Sequence, residues 1–153
     1  QIIMDLKNQI QNREIKFRIW DNKEKKFFKP VYEAYKGNLL DISISLKGEL
    51  IRRTLELPCE HESCFKERYV LQQFTGLKDK NGKEIYEGDI VVYDRGVGNW
   101  TGKRMSTTHT IVFSEEVFAF VMDYGSSYIK LRKHWNYIYE VIGNIYEHSY
   151  LLK

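Results

Sequence analysis

At 153 residues the chain suits one compact unit, or two small ones sharing a core. Hydrophobic residues make up 42% and charged residues 29%, which excludes disorder, and two cysteines are too few for a disulfide-built scaffold. The net charge of +3 permits a polyanionic partner without demanding one, and no run approaches the roughly 18 apolar residues of a membrane helix.

In residues 1–12, Ile3, Leu6 and Ile10 fit one stripe of a short helix, or the segment is an extension or tag remnant. The segment has no basic start, apolar centre and small-residue cleavage site, so no secretory signal is expected and the expected compartment is the cytoplasm. From Arg13 to Trp20 apolar and polar residues alternate, which predicts a strand with Ile15, Phe17 and Ile19 on its buried face. A DNKEKK turn follows, then extended structure through FFKPVYEAY, with Pro30 forcing an edge or an end because it has no N–H to donate.

Leu40, Ile42, Ile44 and Leu46 share one face of a second strand; Lys47 and Gly48 turn the chain, and Glu49 to Leu57 pairs back as a hairpin arm or forms a short helix. Pro58 to Lys66 is a polar loop, and Arg68 to Phe74 is a strand. Asn81-Gly82 is a tight-turn signal and Glu87-Gly88 a second one; Asp89 then opens the buried strand Ile90 to Tyr93. Arg95 to Ser106, rich in glycine and small polar residues, reads as a mobile loop or a long hairpin tip. Further strands are expected at Thr110–Phe113, Val117–Met122, Tyr128–Leu131 and Tyr139–Tyr146, the last with a bulge or bend at Gly143.

Three segments carry a resemblance: REIKFRIWD from Arg13, the run Phe74 to Tyr93, and YEVIGNIYE from Tyr139. Together, in that order, they resemble the YopX family of bacteriophage and prophage proteins, from about Arg13 to Leu152. The resemblance implies a mostly β protein that self-associates, and it implies no enzyme activity and no catalytic residue. The resulting expectation is a mainly-β fold of antiparallel sheets or a partly open small barrel, SH3-like in part, with few short helices. Residues 13–153 would form one domain, with room for a sub-domain inserted around 32–67.

Several groups of residues invite a functional reading. Gly76, Asn81, Gly82, Gly88 and Asp89 read chiefly as turn chemistry, and secondarily as a binding tip around KDKNGK. Cys59, His61 and Cys64 supply three potential zinc ligands within six residues, but a structural site needs a fourth ligand and the spacing is not a paired knuckle, so no metal is expected. The residues around Gly102-Lys103 fail the phosphate-loop pattern, since Val97 and Arg104 stand where glycine and Ser or Thr belong. Glu115-Glu116 is a poor acid/base pair because strand neighbours face opposite sides.

Arg95, Trp100, Lys103, Arg104, Lys130, Arg132, Lys133 and Trp135 form the best candidate binding surface: cations with interleaved aromatics can hold a single-stranded nucleic acid by phosphate contact and stacking. The eleven Tyr, eight Phe and three Trp favour a homo-oligomer, with Tyr137, Tyr139 and Val141 on the C-terminal strand as the contact. The expected protein is thus a phage or prophage accessory protein, non-enzymatic and oligomeric, with no cofactor and no membrane. Its macromolecular partner is of the host or the phage, and the alternative is a small nucleic-acid-binding module.

Overall fold

The computed structural model describes residue 4 and residues 14–97, 104–125 and 127–152. Contacts divide the chain into a smaller unit, Ile19–Leu71, and a larger one made of Gln1–Arg18 and Gln72–Lys153. The fold is mainly β and antiparallel, with a few 3₁₀ turns and a partly curled sheet. The expected stripe at Ile3, Leu6 and Ile10 lies outside the described residues.

Strand β1 (Phe17–Asp21) starts in the larger unit and ends in the smaller one. Within the smaller unit its end pairs with β2 (Lys26–Phe27), Trp20 opposite Phe27. A second sheet there has the order β3 (Val31–Glu33), β4 (Asn38–Ile44), β5 (Leu50–Thr54), β6 (Glu60–His61). The β4–β5 hairpin forms as the pattern predicts, with Leu40 opposite Thr54 and Ile44 opposite Leu50. The helical alternative for Ile51 to Leu57 does not occur, because β5 has ladder partners on both sides. Pro30 falls between β2 and β3, where no ladder needs its N–H. The core here is Ile19, Leu50, Phe65 and Tyr69.

Two strand faces differ from the alternation. Ile15 lies ahead of β1 and is 59% exposed, and Phe17 is exposed as well, whereas Ile19, Trp20 and Asp21 are all buried. Trp20 packs edge-on against Phe27, and the Asp21 carboxylate turns in to accept from the N–H groups of Lys23 and Glu24 and from Arg68. On β4 the buried residue is Asp41, not the Leu40–Leu46 stripe; Ile44 and Leu46 are exposed. Asp41 accepts from the Tyr32 hydroxyl at 2.8 Å and pairs with Arg53, so hydrogen bonding lets a carboxylate be buried on β4 while Ile42 stays half-buried against the core.

Strand β7 (Tyr69–Lys78) carries the chain into the larger unit, where it pairs with β8 (Glu84–Tyr86). The main sheet of that unit has the order β12 (Tyr128–Lys130), β11 (Ala119–Asp123), β10 (Arg104–Ser114), β9 (Asp89–Val97), β13 (Tyr139–Asn144). Arg95 to Val97 and Arg104 to Ser106 lie in the paired strands β9 and β10 and are not the loop or tip expected; residues 98–103 lie outside the described residues. The ladder between β13 and β9 slips between Val141 and Gly143, as expected for a bulge there. Ile85, Val91, Tyr93, Ile111, Met122, Tyr139 and Val141 make the core, flanked by Leu77, Ile129, Leu131, Trp135 and Ile138.

Candidate binding face

The site lies where β9 leaves the core of the larger unit. Tyr93 and Arg95 are two apart on one strand and share a face, so a buried ring is followed by an exposed cation on the same side. The guanidinium of Arg95 sits over the Tyr93 ring, 5.4 Å from its centroid. A bulge sets this end of the strand: Val97 opposes Arg104 and Asp94 opposes Ser106, leaving Arg95 and Gly96 against Met105 alone. Gly96 has φ +75°, and its N–H donates to the Asp94 carboxylate at 2.9 Å.

The second half comes from the 3₁₀ turn Lys133–Ile138 that precedes β13. Arg132 precedes the turn with extended backbone, and its guanidinium lies over Trp135 at 4.7 Å from the ring centroid. Trp135 N–H donates to the Arg132 carbonyl at 3.0 Å, and Arg132 N–H donates to the Tyr139 hydroxyl at 3.3 Å. Trp135 stacks on Tyr93 with centroids 6.1 Å apart and planes 30° apart, and Tyr139 packs on Tyr93 at 5.8 Å. The result is a continuous series, Arg95, Tyr93, Trp135, Arg132, with a cation at each end. Each cation over a ring is worth about 0.5–1 kcal/mol at an exposed site, enough to orient the guanidinium.

Among the described residues, neither Arg95 nor Arg132 has a carboxylate partner, and both are exposed. The acids nearby are already matched: Asp94 pairs with Arg104, which holds its carboxyl below the usual range, and Glu140 pairs with Lys80 at 2.6 Å. Two pre-oriented guanidinium groups without counter-charges can receive an anion through their N–H edges.

Of the residues that the sequence nominated for this surface, the structure therefore joins Arg95, Arg132 and Trp135. Arg104 is spent on Asp94. Lys130 and Lys133 are exposed, on β12 and at the start of the 3₁₀ turn. Trp100 and Lys103 lie outside the described residues. Sequence reasoning missed Tyr93, the ring that joins the two halves, because it was read only as part of a buried strand; the spacings Tyr-x-Arg and Arg-x-x-Trp are the signals that mark it.

The other candidates have structural employment. In the KDKNGK segment Asp79 is buried and accepts from the N–H groups of Asn81 (2.8 Å), Lys83 (2.9 Å) and Val141 (3.0 Å). Gly76, Gly82 and Gly88 all have positive φ, as turn chemistry requires, while Asn81 does not. Asp89 is fully enclosed: it accepts from Tyr86 N–H at 2.8 Å and from Arg18 at 2.6 Å. Burial pushes its carboxyl above the ordinary range even though Arg18 opposes the shift.

Cys59 and Cys64 are exposed free thiols, and the His61 ring accepts from Ser63 N–H as the cap of the short turn Glu62–Cys64. No cluster of three or more His, Cys, Asp or Glu able to hold a metal occurs among the described residues. Tyr137 is 66% exposed, but Tyr139 is at 0% and Val141 at 8%. The last two are inside the chain's own core, so they are not a surface open to a second copy.

A family model described as YopX protein matches residues 16–153. Among solved structures, the chain is similar to the crystal structure of protein EF1440 from Enterococcus faecalis. That match has a TM-score of 0.55 and 29% identity, over 92% of this chain and 99% of the other. No curated protein matches the chain. No helix among the described residues is long and apolar enough to cross a membrane.

Proposed function

Because this chain belongs to the YopX family, we propose that it is a bacteriophage or prophage accessory protein that works by binding, and not by catalysing a reaction, in the cytoplasm of the host. The family match over residues 16–153 supports taking residues 13–153 as one YopX-like domain. The observation that carries the binding reading is the Arg95–Tyr93–Trp135–Arg132 series, which presents two oriented cations outward from a rigid core. The use of the buried carboxylates supports it too. Asp21, Asp41, Asp79 and Asp89 spend their oxygens on backbone N–H groups, a tyrosine hydroxyl and arginines, which is the work of turns and ladders.

The partner is a macromolecule of the host or the phage, and self-association is part of the same reading. The second reading, a small nucleic-acid-binding module, is favoured by the unmatched arginines of the same face. A salt series separates the two. Nucleic-acid affinity falls steeply and log-linearly with salt, whereas a mainly apolar protein contact does not. Light scattering on the same samples gives the assembly; a mass near 18.3 kDa at all micromolar concentrations would remove self-association from the proposal.

A further inference from the structure

The 3₁₀ turn Lys133–Ile138 carries more than the cation it orients. Trp135 has its ring occupied, by Tyr93 stacked against it and by the Arg132 guanidinium over it. It therefore anchors the turn and is not itself a platform for a base. Two positions further on, Tyr137 is 66% exposed. Among the described residues no aromatic contact and no hydrogen bond engages its ring or hydroxyl. Arg132, Lys133 and His134 precede it, all exposed, and His134 meets Trp135 edge-to-face at 5.3 Å.

An exposed phenol ring on the turn that Arg132 precedes supplies, together with the unmatched guanidinium groups of this face, the two elements that hold an unpaired nucleotide: a π surface for the base and N–H groups for the phosphate. A duplex offers its phosphates but keeps its bases stacked inside, so it would use the arginines and leave Tyr137 idle. We propose that Arg95 and Arg132 bind phosphates of a single-stranded nucleic acid whose base stacks on Tyr137. This rests on the nucleic-acid reading above and names its phosphate-binding arginines and its stacking residue.

The test uses the full chain, a fluorescently labelled oligothymidylate and a hairpin duplex, followed by anisotropy across a salt series. Oligothymidylate should bind more tightly than the duplex, and its affinity should fall as salt rises. Arg95→Ala and Arg132→Ala should each reduce the log–log salt slope by about 0.7, one phosphate contact on a single strand. Tyr137→Ala should weaken oligothymidylate about tenfold with the slope unchanged, Tyr137→Phe should restore binding, and duplex affinity should ignore both. Because Arg132 also packs on Trp135, Arg132→Lys serves as a folded control, checked by circular dichroism; it should keep the slope. Equal binding of duplex and single strand, with Tyr137→Ala silent, would overturn the single-strand assignment and leave the basic face standing. No binding of either probe at low salt would overturn both.

Discussion

The Asp79 carboxylate accepts a hydrogen bond from the backbone N–H of Val141 at 3.0 Å, across 62 residues of sequence. Its other oxygen closes the Asp79–Lys83 turn, and Lys80 N–H donates to the Tyr139 carbonyl at 3.0 Å. A segment that looks like an exposed binding tip is thereby stitched to the last strand of its unit. Asp79→Ala leaves buried N–H groups without an acceptor and should cost about 2–4 kcal/mol in denaturant unfolding. Asp79→Asn keeps one acceptor oxygen and should cost less. Equal, small losses for both would show that the clamp contributes nothing.

Gly82 and Gly88 both have positive φ, yet they should respond differently to alanine. A Cβ at Gly82 meets nothing within 4 Å, so only backbone strain remains, about 1 kcal/mol. The larger, β-branched Gly82→Val should cost about 1–2 kcal/mol. At Gly88 the added carbon runs into the Gln72 amide, and the Gln72 carbonyl oxygen is engaged by Arg18 at 2.7 Å, so the side chain cannot move aside freely. Gly88→Ala should therefore be clearly more destabilising than Gly82→Ala; the reverse order in denaturant midpoints would contradict this account.

His109 predicts a pH dependence. It is 4% exposed, its Nε2 has no partner, and its ring lies 3.9 Å from that of Tyr124. Burial pulls its pKa below the ordinary 6.5, with the charge of Arg95 adding and the Asp123 backbone opposing. The unfolded chain then binds the proton first as pH falls. Stability from this group is whole above the unfolded value, declines as pH drops below it, and levels off beneath the folded value. His109→Phe, neutral at every pH, should lose less stability than the wild type between about pH 7.5 and about pH 5.5. Parallel curves for the two proteins would rule the mechanism out.

Tyr139 and Tyr137 should separate folding from surface effects. Tyr139→Asp puts a charge into a site with 0% exposure and should destabilise the protein by several kcal/mol, or prevent folding. Tyr137→Asp alters an exposed ring and should leave the unfolding midpoint almost unchanged. If Tyr139→Asp folds normally and only changes the mass seen by light scattering, that strand is a subunit contact after all.

The strands, their hairpins and the glycine turns were legible along the chain because they depend on neighbours: period-two alternation, Asn-Gly and Lys-Gly turns, and the Gly143 bulge are local signals. Family membership was legible for a related reason, since its three motifs lie in contiguous runs. The side chains inside each unit were decided by tertiary structure. Asp41 and Asp21 could be buried because Arg53, Tyr32 and Arg68 satisfy their carboxylates, and those partners come from other strands and loops. The binding face divides in the same way. Tyr93 beneath Arg95 and Arg132 over Trp135 are pairs within a few residues of each other. Only the packing of the turn against β9 lays Trp135 on Tyr93 and turns two local pairs into one surface, because a contact between distant segments depends on how the core fills and not on the spacing within either.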